Sequence, residues 1–167
     1  MCSDNGGIRK NVCGIVGAFA LTAAVAVVGG LAGDFRSQWY RELRKPSWQP
    51  SGATIGTVWS ILYTEIALAG SLLWLRRSRA GREIGPLFVA QSLLNAAWTP
   101  LFTRARRLDL ATMDCAALVV VNTGLVASAS RASRLAGLLL FPYLVWSGFA
   151  TFLSWTLYRL NPEPQSV

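Results

Sequence analysis

The chain has 167 residues, of which 53% are hydrophobic and only 14% are charged, whereas a soluble domain carries about a quarter charged residues. It contains no histidine, which excludes histidine-based triads, histidine-ligated zinc and proximal-histidine haem, and its three cysteines have no metal-binding or paired spacing. The net charge is +8, and the basic residues lie between long apolar runs, as in the loops of a membrane protein. We therefore expect no nucleic-acid partner.

Five apolar segments follow one another, each close to the length of about 20 residues that spans a bilayer as a helix. The predicted helices cover residues 12–33, 51–75, 84–103, 110–130 and 135–158. Short arginine-rich loops follow the second, third and fourth segments, which indicates antiparallel neighbours in one compact bundle. The sequence therefore predicts an all-α integral membrane protein, a single domain over residues 1–167, with five transmembrane helices.

The distribution of basic residues does not decide which way the bundle is oriented in the membrane. Five spans place the termini on opposite sides of the membrane, and eight Lys or Arg residues then fall on each side. The positive-inside rule gives no decision from equal numbers. If the basic residues of the connection 34–50 are set aside, the N-terminal side is the more positive, which favours a cytoplasmic N-terminus.

The connection 34–50 is the most distinctive segment. Pro46 and Pro50 lie four residues apart and exclude a regular helix through it. Its amphipathic aromatics, Trp39, Tyr40 and Trp48, fit two interpretations. One is an aromatic belt at the membrane interface. The other is a structured lid over a cavity between the helices, which the rigid prolines favour.

Aromatic and polar side chains form stripes on three predicted helices. The stripes contain Trp59 and Tyr63 on helix 2, Gln91, Asn95 and Trp98 on helix 3, and Tyr143, Trp146 and Ala150 on helix 5. Amide side chains are unfavourable against lipid, so those of helix 3 should face the bundle interior. For each helix alone, simple packing explains the stripe. The three stripes together favour a shared aromatic cavity for a flat, largely apolar ligand.

Glu65 and Asp114 are the acids within the predicted spans. Asp114 is either a functional carboxylate within the span or an acid in the first turn of helix 4, where the helix dipole favours it. Glu65, near mid-span, could pair with an arginine, be protonated or line a polar path, and the sequence does not choose among these. In helix 1, the spacing of Gly29 and Gly33 is compatible with close helix packing or a dimer contact.

Several motifs from residue 39 to residue 161 occur together in a known family. They are Trp39-Tyr40, Lys45-Pro46-Ser47-Trp48-Gln49-Pro50, Trp59 with Tyr63, Asn95 with Trp98, Pro142-Tyr143 with Trp146, and Leu160-Asn161. On these motifs the sequence resembles the TspO/MBR family of tryptophan-rich sensory proteins and mitochondrial translocator proteins, also called peripheral-type benzodiazepine receptors. One departure is Ser51 after Pro50, where the family often has a second proline.

The resemblance implies a five-helix bundle, commonly a homodimer, with a cavity capped by the loop after helix 1. It implies binding of protoporphyrin IX, benzodiazepine-type and isoquinoline carboxamide drugs, and in some members sterols. It also implies a multi-pass protein of the bacterial cell membrane or, in a eukaryote, of the mitochondrial outer membrane or another organelle. By motif, the ligand-binding residues would be Tyr40, Pro50, Trp59, Tyr63, Asn95, Trp98, Trp146 and Ala150.

The function expected from the resemblance is that of a membrane receptor or sensor for tetrapyrroles. Some bacterial members promote light- and oxygen-dependent breakdown of bound protoporphyrin, in which the tryptophans matching Trp59 and Trp146 are implicated, so these two are the candidate catalytic residues. Indole is readily oxidised, so this chemistry requires no metal and no further cofactor. Trp48, Trp59, Trp98 and Trp146 fall on the expected lid and on the three helices expected to enclose the ligand. The alternative function is a transporter of porphyrin or sterol across the membrane.

Overall fold

The computed structural model describes residues 5–76 and 81–162, which form helices and contain no strand. The helices are α1 (Asn5–Ala32), α2 (Gln38–Glu42), α3 (Gly52–Arg76), α4 (Gly81–Thr103), α5 (Leu108–Ala132) and α6 (Arg134–Leu160). The all-α prediction is therefore confirmed for this part of the chain. Of the five long helices, α1 begins earlier than the sequence predicted, at Asn5, and the other four begin and end within three residues of the predicted bounds.

Three of the long helices have the length and composition to cross a membrane. They are Gly52–Leu75, Leu108–Ala132 and Arg134–Leu160. In α1 the described apolar stretch is shorter, Val12–Val27. In α4 the apolar character is lowered by the amides of Gln91 and Asn95, and two prolines, Pro86 and Pro100, lie inside the helix.

Hydroxyl side chains on the outer surfaces of the long helices are satisfied by their own backbone. The Oγ1 of Thr64 donates to the carbonyl of Ser60 at 2.9 Å, and that of Thr123 donates to the carbonyl of Val119 at 2.8 Å, although both threonines are exposed. A lipid environment offers no water to such groups, so the bond to the carbonyl four residues earlier keeps them paired.

The five long helices pack in a closed ring in the cyclic order α1, α3, α6, α5, α4. The most extensive contact joins α5 to α6. Asn122 donates to Ser147 Oγ at 2.9 Å, and Cys115 Sγ lies 3.8 Å from Ser154 Oγ. Because both pairs are separated by seven residues on each helix, the two helices meet along an antiparallel seam with a heptad repeat.

The turn between α4 and α5 explains the positions of the acids on α5. Arg106 takes a left-handed backbone conformation with φ of 52°, and Arg107 pairs with Asp109 at 2.7 Å. Asp109 is therefore the acid in the first turn of α5. The prediction that Asp114 occupies this turn is wrong, because α5 begins at Leu108 and Asp114 is buried one turn further on.

The connection between α1 and α3 is structured and includes a short helix. Ser37 caps α2, since its Oγ accepts a hydrogen bond from the Tyr40 amide at 3.3 Å. The helix ends at Glu42, and no helix passes through Pro46 or Pro50, as the prolines predicted.

Candidate functional site

A central polar cluster of four side chains joins three helices inside the ring. Tyr63 of α3 donates to Asn95 Oδ1 of α4 at 3.1 Å. Asn95 Nδ2 donates to the hydroxyl of Tyr143 on α6 at 2.8 Å, and that hydroxyl donates to Gln91 Oε1 of α4 at 3.1 Å. The chain of bonds continues from Gln91 Nε2 to Ser92 Oγ at 2.8 Å. Each of these hydrogen bonds therefore pairs polar groups that would cost free energy if they were left unpaired in an apolar environment.

Burial agrees with the predicted interior position of the two amides. Gln91 is 3% exposed and Asn95 is 8% exposed, which confirms that their side chains face the bundle interior. Tyr143 is 1% exposed and is the largest fully buried side chain in the described part of the chain. The sequence placed Tyr143 on the correct face but did not identify it as a site residue, although a phenol within a membrane span needs a polar partner.

Trp59 lies against the central polar cluster. Its ring is 5.2 Å from the ring of Tyr63 and meets the ring of Tyr143 edge-on at 6.0 Å. Three predicted site residues, Trp59, Tyr63 and Asn95, are thus brought together by α3 and α4.

A second group of rings surrounds Phe102 near the end of α4. Trp98 stacks on Phe102 at 4.9 Å, and two rings from α2, Trp39 and Tyr40, meet Phe102 edge-on at 5.9 and 6.2 Å. Phe102 is 2% exposed, so these contacts form a small core of their own. The predicted site residues Tyr40 and Trp98 are therefore joined through Phe102, which the sequence places on the same helical stripe as Asn95 and Trp98 but which was not among the predicted ligand-binding residues.

The two groups adjoin each other along α4, because Asn95 and Trp98 are three residues apart and share a face of the helix. Two buried polar atoms at this junction have no hydrogen-bond partner in the described part of the chain, namely Trp98 Nε1 and Gln49 Oε1. Gln49 is held near Tyr40, since its Nε2 donates to the Tyr40 hydroxyl at 3.2 Å. One donor and one acceptor are thus available to a ligand that reaches this region.

Of the remaining predicted residues, Trp146 and Ala150 lie on α6, and Pro50 lies in the connection just before α3. Trp146, Ala150 and Pro50 are all half-buried. Trp146 packs against the same core cluster as Trp59, but its ring contact is with Phe149 at 5.0 Å. Of these three residues, only Trp146 is thus shown to pack against the core that contains the hydrogen-bonded cluster.

Trp48 was expected among the tryptophans on the ligand side, and its position differs. It is 44% exposed and stacks on Phe152 of α6 at 5.2 Å, while Phe152 itself is 54% exposed. Trp48 therefore lies on the outer surface of the bundle, because the turn between Pro46 and Pro50 directs it outwards along α6.

A second attachment holds the connection to the end of α6. The backbone amide of Arg44 donates to Asn161 Oδ1, and Asn161 Nδ2 donates back to the carbonyl of Arg44, both at 3.0 Å. The same Nδ2 also bonds the carbonyl of Leu157 at 2.8 Å. The connection is thus fixed at Phe102 on one side and at Asn161 on the other.

Comparison with known proteins decides the family. The model of the TspO/MBR family matches residues 18–159. The chain belongs to the TspO/MBR family. It is 34% identical over 143 residues to the tryptophan-rich protein TspO of Bacillus cereus, covering 86% of this chain and 94% of the relative. It is 37% identical over 131 residues to the translocator protein of Sus scrofa, covering 74% and 75%, and 29% identical over 153 residues to protein CrtK of Rhodobacter capsulatus, covering 89% and 96%.

Membership of the TspO/MBR family agrees with the three apolar helices that are long enough to cross a bilayer. The protein is therefore an integral membrane protein, as its composition predicted. Its family includes both bacterial and animal relatives.

Proposed function

We propose that this TspO/MBR protein is a membrane receptor or sensor that binds tetrapyrroles such as protoporphyrin IX. In this proposal each of the five long helices crosses the membrane, and the connection between α1 and α3 is a lid over the binding region. The observation that carries the proposal is a pair of adjoining groups along α4. In the first, Trp59 and Tyr63 meet Asn95; in the second, Trp98 and Tyr40 of the connection meet at Phe102.

The chemistry of the region suits a flat, apolar molecule with polar edges. Trp59 and Trp98 offer ring faces on which such a molecule could stack. The unpartnered Trp98 Nε1 and Gln49 Oε1 supply a donor and an acceptor. The absence of histidine from the sequence favours a metal-free tetrapyrrole over an iron-ligated haem. Benzodiazepine-type and isoquinoline carboxamide drugs, and sterols, are further candidate ligands of the same region.

Fluorescence titration tests the binding region. Purified protein should quench protoporphyrin IX fluorescence with a saturable stoichiometry. Trp59→Ala should weaken binding about tenfold or more, because it removes a stacking face worth about 1–3 kcal/mol. Trp155→Ala is the matched control, since Trp155 is 45% exposed on the outside of α6 and should have little effect. Equal affinities for the two variants would show that the region is assigned wrongly.

We further propose that the bound porphyrin is degraded in light and oxygen, with Trp59 and Trp146 as the oxidisable residues. Light supplies the excitation and dissolved oxygen is the oxidant. Illumination of the complex in air should produce a new bilin-like absorbance. The double variant Trp59→Phe/Trp146→Phe should lose this product, whereas Trp155→Phe should retain it. Bleaching of the double variant at the wild-type rate would indicate passive photosensitisation instead.

Transport of porphyrin or sterol is a second candidate function, and Glu65 is the observation that favours it. Glu65 lies in the middle of α3, is half-buried, and has one carboxylate oxygen without a hydrogen-bond partner in the described residues. Liposomes with porphyrin trapped inside should then release it through the wild-type protein and more slowly through Glu65→Gln. Binding without flux would leave the receptor as the better proposal.

A homodimer remains a prediction that native mass spectrometry can check.

A further inference from the structure

The outer surface of α6 carries an exposed aromatic face near the end of the helix. Trp48 of the connection stacks on Phe152 at an interplanar angle of 17°, and Phe152 lies 6.0 Å from Trp155. These three rings are 44%, 54% and 45% exposed, respectively. Large aromatic rings in such a position are typical of the level where acyl chains meet headgroups.

Two arginines lie at the headgroup end of this aromatic face. The guanidinium of Arg159 lies 5.5 Å from the centroid of the Trp155 ring. The backbone of Arg44 is bonded at both its amide and its carbonyl to Asn161, two residues after Arg159. Asn161 therefore brings the backbone of Arg44 to the end of α6 at which Arg159 lies, and both arginines are exposed.

Neither arginine has an acidic partner within residues 5–76 and 81–162, and this distinguishes them from a third arginine at the same end of the bundle. Arg107 bonds Asp109 through two nitrogens, at 2.9 and 2.7 Å. Its charge is therefore already matched by a carboxylate, whereas Arg44 and Arg159 keep their guanidinium donors available for an anion from outside the chain.

We propose that Arg44 and Arg159, with the aromatic face below them, bind an anionic phospholipid of the surrounding membrane. The phosphate fits the planar donor pattern of the two guanidinium groups. The acyl chains would lie along Trp48 and Phe152. An anionic headgroup is favoured over a zwitterionic one because the two arginines carry two positive charges that no acid among residues 5–76 and 81–162 pairs with. Arg44 and Trp48 lie on the connection proposed as the lid, but none of these residues is among the predicted ligand-binding residues, so the lipid site can be tested separately from tetrapyrrole binding.

Native mass spectrometry of the full chain tests the site directly. The protein is released from detergent micelles that contain equal amounts of phosphatidylglycerol and phosphatidylcholine of the same acyl chains. The wild type should retain phosphatidylglycerol preferentially. Arg159→Gln and Arg44→Gln should each lower that retention about fivefold, as expected for one arginine close to an anionic lipid surface. Arg159→Lys should retain part of the preference, because it keeps the charge but loses the bidentate geometry.

The matched control is Arg104→Gln, which removes the same charge at the same end of the bundle but on the turn after α4. It should leave phosphatidylglycerol retention unchanged. An equal loss in Arg104→Gln, or equal retention of the two lipids by the wild type, would overturn the site. Preferential retention of cholesterol from a mixture with phosphatidylglycerol would also overturn it.

Further measurements distinguish loss of the lipid site from a folding defect and from simple anion binding. If Arg159→Gln does not fold, Arg44→Gln carries the test, because that side chain is exposed on the connection. Excess inorganic phosphate should not displace the retained lipid, since phosphate lacks the acyl chains that contact the aromatic face; displacement would reduce the site to a simple anion site. Protoporphyrin quenching should be the same in both glutamine variants and the wild type.

Discussion

The central polar cluster and the connection between α1 and α3 are both rich in tyrosine and amide side chains, yet they are held in different ways. In the cluster, Tyr143 is 1% exposed and each hydrogen bond crosses from one helix to another. In the connection, Tyr40 and Gln49 bond within the same segment, and the attachment to the bundle relies on ring contacts with Phe102 and on the bonds of the Asn161 side chain to the Arg44 backbone.

This difference predicts that the cluster governs the stability of the bundle, whereas the connection can move locally. A buried bond between helices cannot be exchanged for water, so its loss leaves unpaired groups in an apolar environment. A bond at the edge of the bundle can be replaced by water at little cost. We therefore expect the cluster to determine the stability of the whole bundle, and the connection to open locally while the bundle stays folded.

Tyr143→Phe should have the largest effect. It removes a hydroxyl that accepts from Asn95 and donates to Gln91, and it leaves both amides buried without that partner. The free energy of unfolding in detergent should fall by about 2 kcal/mol. Tyr158→Phe, on an exposed tyrosine, is the control and should change it by less than about 0.5 kcal/mol. Similar values for the two variants would mean that the cluster is not the stabilising region.

Tyr63→Phe should have about half that effect, because Tyr63 makes one bond to Asn95 and is only half-buried. We expect a loss of about 1 kcal/mol, measured in the same unfolding assay. The double variant with Tyr143→Phe should lose less than the sum of the two, since Asn95 is shared by both tyrosines. Strict additivity would argue against a connected cluster.

Asn161→Ala should lower the local stability of the connection and leave the global stability of the bundle almost unchanged. It removes both bonds to the Arg44 backbone. Hydrogen exchange of the Arg44 amide should become about threefold faster, equivalent to about 0.7 kcal/mol of local stability. Gln38→Ala, which removes only an exposed bond to Glu42, is the control. A fall in global stability as large as that of Tyr63→Phe would remove the distinction between the two regions.

Tyr40→Phe should have the smallest effect. It removes the bond from Gln49 Nε2 but keeps the ring contacts with Phe35 and Phe102. Local stability should fall by about 0.3 kcal/mol, seen as slightly faster exchange within α2. A larger change would show that the bond between Tyr40 and Gln49 within the connection contributes more to its order than the ring contacts with Phe102 do.

The helices were predictable because their signals are local. The length of each apolar run fixed the four later helices closely, and the cost of an amide against lipid fixed the inward direction of Gln91 and Asn95. The short helix α2 was not predicted, since five residues carry no periodic pattern and its start depends on the cap from Ser37.

The partners within the site were not predictable from the same signals. Asn95 and Tyr143 are 48 residues apart, and which helices meet depends on the cyclic order of the ring rather than on any local pattern. The position of Trp48 was not predictable for the same reason. Its aromatic ring suits both a ligand cavity and a lipid-facing surface, and only the path of the chain after Pro46 places it outside. All eight ligand-site assignments, from Tyr40 to Ala150, stay predictions.

The ring order has a consequence for how the protein is made. The helices α1 and α3 are neighbours, and so are α4, α5 and α6, but the ring closes only through the contacts of α3 with α6 and of α1 with α4. Synthesis delivers the first pair to the membrane before the other three. Tyr63 is therefore in the membrane before Asn95 and Tyr143 are made, and Tyr143, the last of these three residues to be inserted, completes the polar cluster and joins the two halves of the chain.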